Sequence, residues 1–247
     1  MPPCVRRFER TIPVHVLARE ADLTRTQREG LGKIEALTLL GVAQETTTSI
    51  PATPATDRRI DAVLFVRASL GNTRALESTA TVVHACFPHP SVLILENARG
   101  DVCLSAALTS RRKRATGFVV NAMEADSDIG SWRRTEQGKA FLSSLAFETL
   151  DQRSLAHLTQ DIMARIRLAR VARLVGFYPD PGLCRSPDVV AVIERLLECQ
   201  GRQDRLRARW KAHGTTQRER LRLRIPLSEA IDQTKAAVDE LTRRCGR

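Results

Sequence analysis

Hydrophobic residues follow two different spacings along the chain, and the spacing predicts which element each segment forms. Short apolar runs bounded by turn residues predict β-strands over residues 58–66, 91–95, 102–108 and 117–123. Apolar residues three and four positions apart predict helices over residues 23–42, 72–86, 139–149 and 154–176. Strands and helices alternate without a strict order, so we expect an α/β (α+β) body built on a mixed sheet.

The stretch over residues 82–108, VVHACFPHPSVLILENARGDVCLSAAL, is predicted to form the centre of that body. Pro88 and Pro90 each restrict the residue before them, so the preceding helix must end near Phe87. A strand rich in Val, Ile and Leu follows. The segment NARGD supplies the Asn and Gly that a chain reversal needs, and a second strand then resumes.

The C-terminal part has a different pattern, which is typical of a helical hairpin. Apolar or seam positions step by four and three residues from Val192 to Trp210, and again from Leu227 to Leu241. We therefore expect an α/β domain over residues 1–180 and an antiparallel, coiled-coil-like hairpin over residues 186–247. The connection over 220–225 alternates Arg with Leu or Ile, which favours an extended segment. Pro226 would then begin the second helix.

The net charge bears on the partner of this protein. The chain carries a formal charge of +11 and has a pI near 10.2. An excess of this size favours nucleic acid or an acidic protein as the partner. No apolar run approaches the ~20 residues that span a bilayer, and the N-terminus lacks the apolar core of an export signal. We expect a cytoplasmic protein with no membrane partner.

Two clusters of basic residues are the candidate binding sites. Residues 202–224 hold nine basic and two acidic side chains, a net charge of +7, and include Trp210. Such a segment could hold a phosphate backbone while Trp210 stacks on a base, could meet a protein partner, or could simply be a solvated surface. The candidate residues are Arg205, Arg209, Trp210, Lys211, Arg218, Arg220, Arg222 and Arg224, and, in a second cluster between two strands, Arg111, Arg112, Lys113 and Arg114.

No complete catalytic motif is present in the sequence. The six Cys and five His residues do not have zinc-ligand spacing, and no GxSxG, phosphate-binding loop or GxGxxG occurs. One weak alternative is a metal-dependent nuclease, in which Asp61, Glu96 and Asp101 would converge on Mg²⁺. No lysine follows Glu96 closely, as restriction-like nucleases would require. We expect a non-catalytic protein without a cofactor or a metal.

Four stretches resemble a known family. They are TRTQREGLGKIEALTLL, the FPHP turn with SVLILENARGDVCLSAAL, the basic run SRRKR, and RERLRLRIPLSEAI. Together they resemble an uncharacterised bacterial family, domain of unknown function number 4391, over about residues 24–241. The chain departs from the family pattern at Phe87 and His89, and its connection is richer in Arg.

The resemblance implies a role but no activity. Family members tend to be encoded beside restriction-type helicases and DNA methyltransferases. The leading hypothesis is therefore a non-catalytic accessory subunit of a restriction or anti-phage defence complex, which binds DNA, a helicase or methyltransferase partner, or both. Besides the nuclease, the remaining alternative is a coiled-coil scaffold that forms a homo-oligomer through its hairpin.

Overall fold

The computed structural model describes residues 6–20, 23–53, 59–111 and 118–246. The chain divides into two compact units, Met1–Ala169 and Arg170–Arg247, and the division falls inside one long helix, Leu155–Val175. The first unit is an α/β body on a mixed sheet, and the second contains a pair of packed helices. This confirms the predicted fold class.

Six strands form one sheet in the first unit, and their order in the sheet is their order in the chain. Only the two central strands, β3 and β4, run parallel, and every other neighbouring pair is antiparallel. The strands are β1 (Arg6–Thr11), β2 (Ile34–Gln44), β3 (Ala62–Leu70), β4 (Ser91–Asn97), β5 (Val102–Arg111) and β6 (Phe118–Asp126).

Helices complete the first unit, and the last of them, α7 (Leu155–Val175), continues into the second. A parallel strand pair needs a crossover connection, and α4 makes it between β3 and β4. The main core contains Leu37, Val66, Val83 and Leu93, all without measurable exposure. Within the described residues no helix is both long and apolar enough to cross a bilayer. The helices are α1 (Val14–Glu20), α2 (Arg25–Leu31), α3 (Glu45–Thr48), α4 (Leu76–His84), α5 (Ile129–Trp132), α6 (Glu136–Ser144) and α7 (Leu155–Val175).

The helix predicted over residues 23–42 is wrong in its second half, where the chain forms strand β2. Helix α2 ends at Leu31, with Gly32 as its C-cap. The pairing of β2 with β3 shifts register between Ile34 and Ala36 and again between Leu39 and Gly41. A bulge adds one residue to a strand, so buried positions that would be two apart become three apart. Ile34 and Leu37 are buried in this way and imitate a helical spacing.

The second unit is organised by α8 (Pro187–Lys211) and α9 (Gln217–Cys245), which pack side by side. Arg195 forms an ion pair with Glu240. Further along, the buried amide of Gln203 donates to Thr234 Oγ1 at 3.2 Å. The partner numbers rise in one helix and fall in the other, so the helices are antiparallel. The apolar seam is formed by Val189, Val192, Ile193 and Leu196 of α8 with Ala230, Ala237, Leu241 and Cys245 of α9.

The extended segment predicted over residues 220–225 is wrong, because α9 begins at Gln217 and includes it. Thr216 caps this helix: its hydroxyl accepts from the N–H of Glu219, and the carboxylate of Glu219 accepts from the N–H of Thr216. This reciprocal pair is a capping box, a strong helix-start signal. Pro226 therefore lies inside α9 rather than in its first turn.

Candidate nucleic-acid interface

The candidate interface is the end of the hairpin where α8 and α9 are joined, which we call the basic arm (residues 202–224). The contacts of Arg195 with Glu240 and of Gln203 with Thr234 give the register of the two helices. The start of α9 is also tied to the end of α8, because the hydroxyl of Thr215 donates to the backbone carbonyls of Arg209 and Ala212, at 2.8 and 3.0 Å.

Burial stops where the arm begins. Gln203 is the last buried residue of α8, and Ala230 is the first buried residue of α9. Every residue between them is exposed or half-buried, including Trp210, Leu223 and Leu227, which are half-buried. The arm therefore keeps its shape through its helical hydrogen bonds, its cap and a few partly covered side chains, and it projects its polar groups into solvent.

All nine basic side chains of the arm are exposed. Within the described residues, none of the nine forms an ion pair with a carboxylate. The oxygen of Gln203 accepts from the guanidinium of Arg207, at 2.9 and 3.0 Å. The arm's net charge of +7 is most of the chain's +11. The nine are Arg202, Arg205, Arg207, Arg209, Lys211, Arg218, Arg220, Arg222 and Arg224.

The acid at the tip of the arm is used by the helix cap. Hydrogen bonds from the backbone N–H and hydroxyl of Thr216 hold the pKa of Glu219 below its usual range, and nearby Arg209 and Arg222 act in the same direction. Glu219 is therefore ionised at neutral pH. Arg209 of α8 and Arg222 of α9 both lie near this carboxylate, so cations from both helices come together at the tip.

The sequence did not reveal two exposed apolar residues in the arm. Leu221 is 61% exposed and Ile225 is 69% exposed, the two largest values among the large hydrophobic residues whose burial the structure describes. The alternation of Arg with Leu or Ile disguised them, because in an extended segment both would have shared one face with Leu223. The capping pattern T-x-x-E at Thr216 was the signal that could have corrected this.

The second basic cluster cannot be joined to the arm. Arg111 is the last residue of β5, and Arg112, Lys113 and Arg114 lie outside the described residues. These four residues stay predicted binding residues, and that prediction rests on the sequence alone.

The structure does not bring the three nuclease carboxylates together. Strands β3 and β4 are parallel, and Glu96 pairs with Ser69. Asp61 lies just before β3, about 26 Å from that row at about 3.3 Å per residue, and contacts Nδ1 of His89 at 3.3 Å. A single metal ion needs its ligands within about 2.6 Å. Within the described residues, no group of three His, Cys, Asp or Glu side chains is placed to hold a metal.

Asp101, the third carboxylate, has a structural partner in the β4–β5 turn. Its Oδ2 accepts from Nδ2 of Asn97 at 2.9 Å, and its N–H donates to Oδ1 of Asn97 at 2.9 Å. Gly100, between them, has a φ of +81°, which glycine adopts without strain. Asp101 therefore stabilises the chain reversal.

A serine–histidine cluster lies in the core of the body, closed to solvent. Nδ1 of His84 lies 2.7 Å from the hydroxyl of Ser91, and Nε2 lies 2.9 Å from the hydroxyl of Ser105. All three residues have no measurable exposure. Burial lowers the pKa of His84 to about 3, so the ring is neutral. No substrate can reach these hydroxyls in this structure, and the cluster ties α4 to β4 and β5.

These observations define an α/β protein that carries an exposed, strongly basic two-helix arm. The chain belongs to a family catalogued as a domain of unknown function (DUF4391), whose model matches residues 3–230 and so includes the whole arm. This confirms the family that the sequence resembled. No curated protein and no solved structure shows significant similarity to the chain.

Proposed function

We propose that this protein is a non-catalytic accessory subunit of a DNA-acting restriction or anti-phage defence complex, and that it binds nucleic acid through the basic arm. In this proposal the protein works in the cytoplasm, and the α/β body docks on a helicase or methyltransferase of the same system. The observation that carries the proposal is the basic arm, with nine exposed cations and no ion pair among the described residues.

The arrangement of these cations supports binding to phosphate rather than a role in stability. Surface arginines that stabilise a fold usually have carboxylate neighbours, as Arg195 and Arg244 have in Glu240. The arm has only Asp204 and Glu219 as acids, and Glu219 is engaged by Thr216. Guanidinium groups form paired hydrogen bonds with phosphate oxygens. Neutralising phosphates releases condensed counterions, which supplies affinity for any sequence.

The test is a titration of a fluorescent DNA duplex with the full chain at several salt concentrations, compared with the triple variant R220Q/R222Q/R224Q. Each phosphate contact contributes about 0.9 to the slope of log affinity against log salt. If all three arginines contact phosphate, the variant should bind more weakly, and its slope should be shallower by about 2 to 3. The duplex is examined on a gel after incubation with Mg²⁺, and it should remain intact.

A matched control separates the arm from overall charge. Arg133 and Arg134 are exposed in the body, so R133Q/R134Q removes charge without touching the arm and should leave the slope nearly unchanged. Equal loss in both variants would reject the arm as the binding site. Cleaved DNA would favour a nuclease. A chain that binds no DNA but forms a stable dimer would favour the scaffold.

A further inference from the structure

The exposed part of the arm's second helix has its side chains in four rows. Residues four apart lie on the same face of a helix. Arg218 and Arg222 form one row, and Leu221 and Ile225 form the next. The third row consists of Arg220 and Arg224. The fourth, Glu219 and Leu223, faces away from the apolar row, and its Leu223 is half-buried.

The apolar row therefore lies between two rows of arginine, on the side of α9 that faces away from α8. The buried residues of α9, such as Ala230, Thr234 and Leu241, continue the side on which Leu223 lies, and Thr234 meets Gln203 of α8 there. The apolar row and the two arginine rows beside it are exposed on the side of α9 opposite its buried seam. A helix surface of this kind can enter a groove while the partner helix lies behind it.

We infer that this surface binds in the major groove of duplex DNA and contacts thymine methyl groups through Leu221 and Ile225. The inference rests on the proposed function and specifies the ligand of the same arm. The major groove is about 12 Å wide and admits an α-helix, whereas the minor groove does not. A chain of phosphates borders each side of the groove, so one row of arginine can meet each strand while the row between them faces the base edges.

Charge complementarity favours DNA over a protein groove. A protein would have to supply carboxylates along both margins of an apolar channel, whereas every duplex has phosphates along both margins. Among base edges, thymine alone presents a methyl group in the major groove. Leu221 and Ile225 cannot form hydrogen bonds with bases, so contact with this methyl is the interaction through which they can discriminate.

The test removes the methyl group and nothing else. Two duplexes of the same A·T-rich sequence are compared, one with thymine and one with uracil at every such position, together with the single strand of the thymine sequence. The full chain should bind the thymine duplex most tightly. The preference over uracil should be about fourfold for each methyl fully buried, from the transfer free energy of a methylene group.

The variant L221A/I225A should bind both duplexes equally, with the salt dependence of the unaltered chain. Alanine is a better helix former than either residue, so α9 should persist, as circular dichroism can verify. The matched control is I231A, an exposed apolar position of α9 outside the arm, and it should keep the preference.

Two results would overturn the inference while the proposed function stands: equal binding of both duplexes by the unaltered chain, or a preference that survives in L221A/I225A. Tighter binding of the single strand would overturn it too, because a single strand has no groove. Absence of DNA binding would overturn both proposals.

Discussion

His84 shows how a single titratable residue is used in the core of the body. The hydroxyl of Ser105 lies 3.1 Å from the carbonyl of Glu124 and donates to it. It therefore accepts from Nε2 of His84, and Nδ1 of the ring accepts from Ser91. Every partner is satisfied only while the ring is neutral, because a protonated Nδ1 would no longer accept.

Stability should therefore depend on pH through His84. Its pKa is about 3 in the folded chain, because burial disfavours the charged ring, and near 6.5 in the unfolded chain. Between these values the unfolded state binds the proton more tightly, so stability falls as the pH falls. From pH 7 to pH 5 the free energy of unfolding should drop by about 2 kcal/mol from this residue.

The measurement is urea unfolding at both pH values for the unaltered chain and for H84Q, which cannot titrate. The variant should lose less stability than the unaltered chain between pH 7 and pH 5. An identical loss would mean that His84 is not the residue responsible.

Arg165 is a second residue whose removal should be costly. It is buried in an ion pair with Asp161, with 2.8 Å between Nη2 and Oδ2, and it donates to the backbone carbonyls of Ser144 and Thr149. Breaking a buried pair leaves a charge without its counterpart, and R165M should reduce the free energy of unfolding by about 3 to 5 kcal/mol. Thermal or urea unfolding measures this.

The exposed pair of Arg25 and Glu29, with 3.1 Å between Nε and Oε1, is the control. Loss of an exposed pair changes stability little, so R25Q should unfold almost like the unaltered chain. Similar losses in R165M and R25Q would contradict the buried role of Arg165.

At the scale of the elements, the strands around the central turn and most of the helices followed from apolar spacing, and the errors have physical causes. Strand β2 was mistaken for helix because two bulges changed its spacing. The start of α9 was missed because the Arg and Leu alternation outweighed the capping box at Thr216. The exposure of Leu221 and Ile225 was missed for the same reason, because in an extended segment both would have shared one face with Leu223.

Pro226 weakens α9 just after its exposed first turns. It has no N–H to donate to the carbonyl of Arg222, which lies four residues earlier. The variant P226A should stabilise α9 by about 1 to 3 kcal/mol. Amide hydrogen exchange over residues 217–230 should slow as a result. The control S228A changes an exposed neighbour and should have a smaller effect. Unchanged exchange in P226A would show that the proline does not limit the helix.

At the scale of the whole molecule, the charge is concentrated rather than spread. The arm has nine cations, and several lie one turn apart, such as Arg205 and Arg209. Like charges at this spacing cost about 0.2 to 0.5 kcal/mol for each pair, and salt screens them. Raising the ionic strength from 0.01 to 0.1 M shortens the screening length from about 30 to about 10 Å.

We therefore expect salt to stabilise the hairpin by about 1 kcal/mol over that range. Hydrogen exchange in α8 and α9 at the two salt concentrations measures it. The variant R220Q/R222Q/R224Q should respond less, because it lacks three of the charges. If salt slows hydrogen exchange equally in the variant and in the unaltered chain, the repulsion does not come from these three arginines.

The lack of buried side chains between Gln203 and Ala230 also has an evolutionary consequence. Substitutions in this stretch cost little folding free energy, since surface changes away from packed groups alter stability by about 0.5 kcal/mol or less. Selection can therefore alter what the arm recognises without endangering the rest of the chain. Related proteins could diverge quickly in their target while they keep the same sheet, core and helix seam.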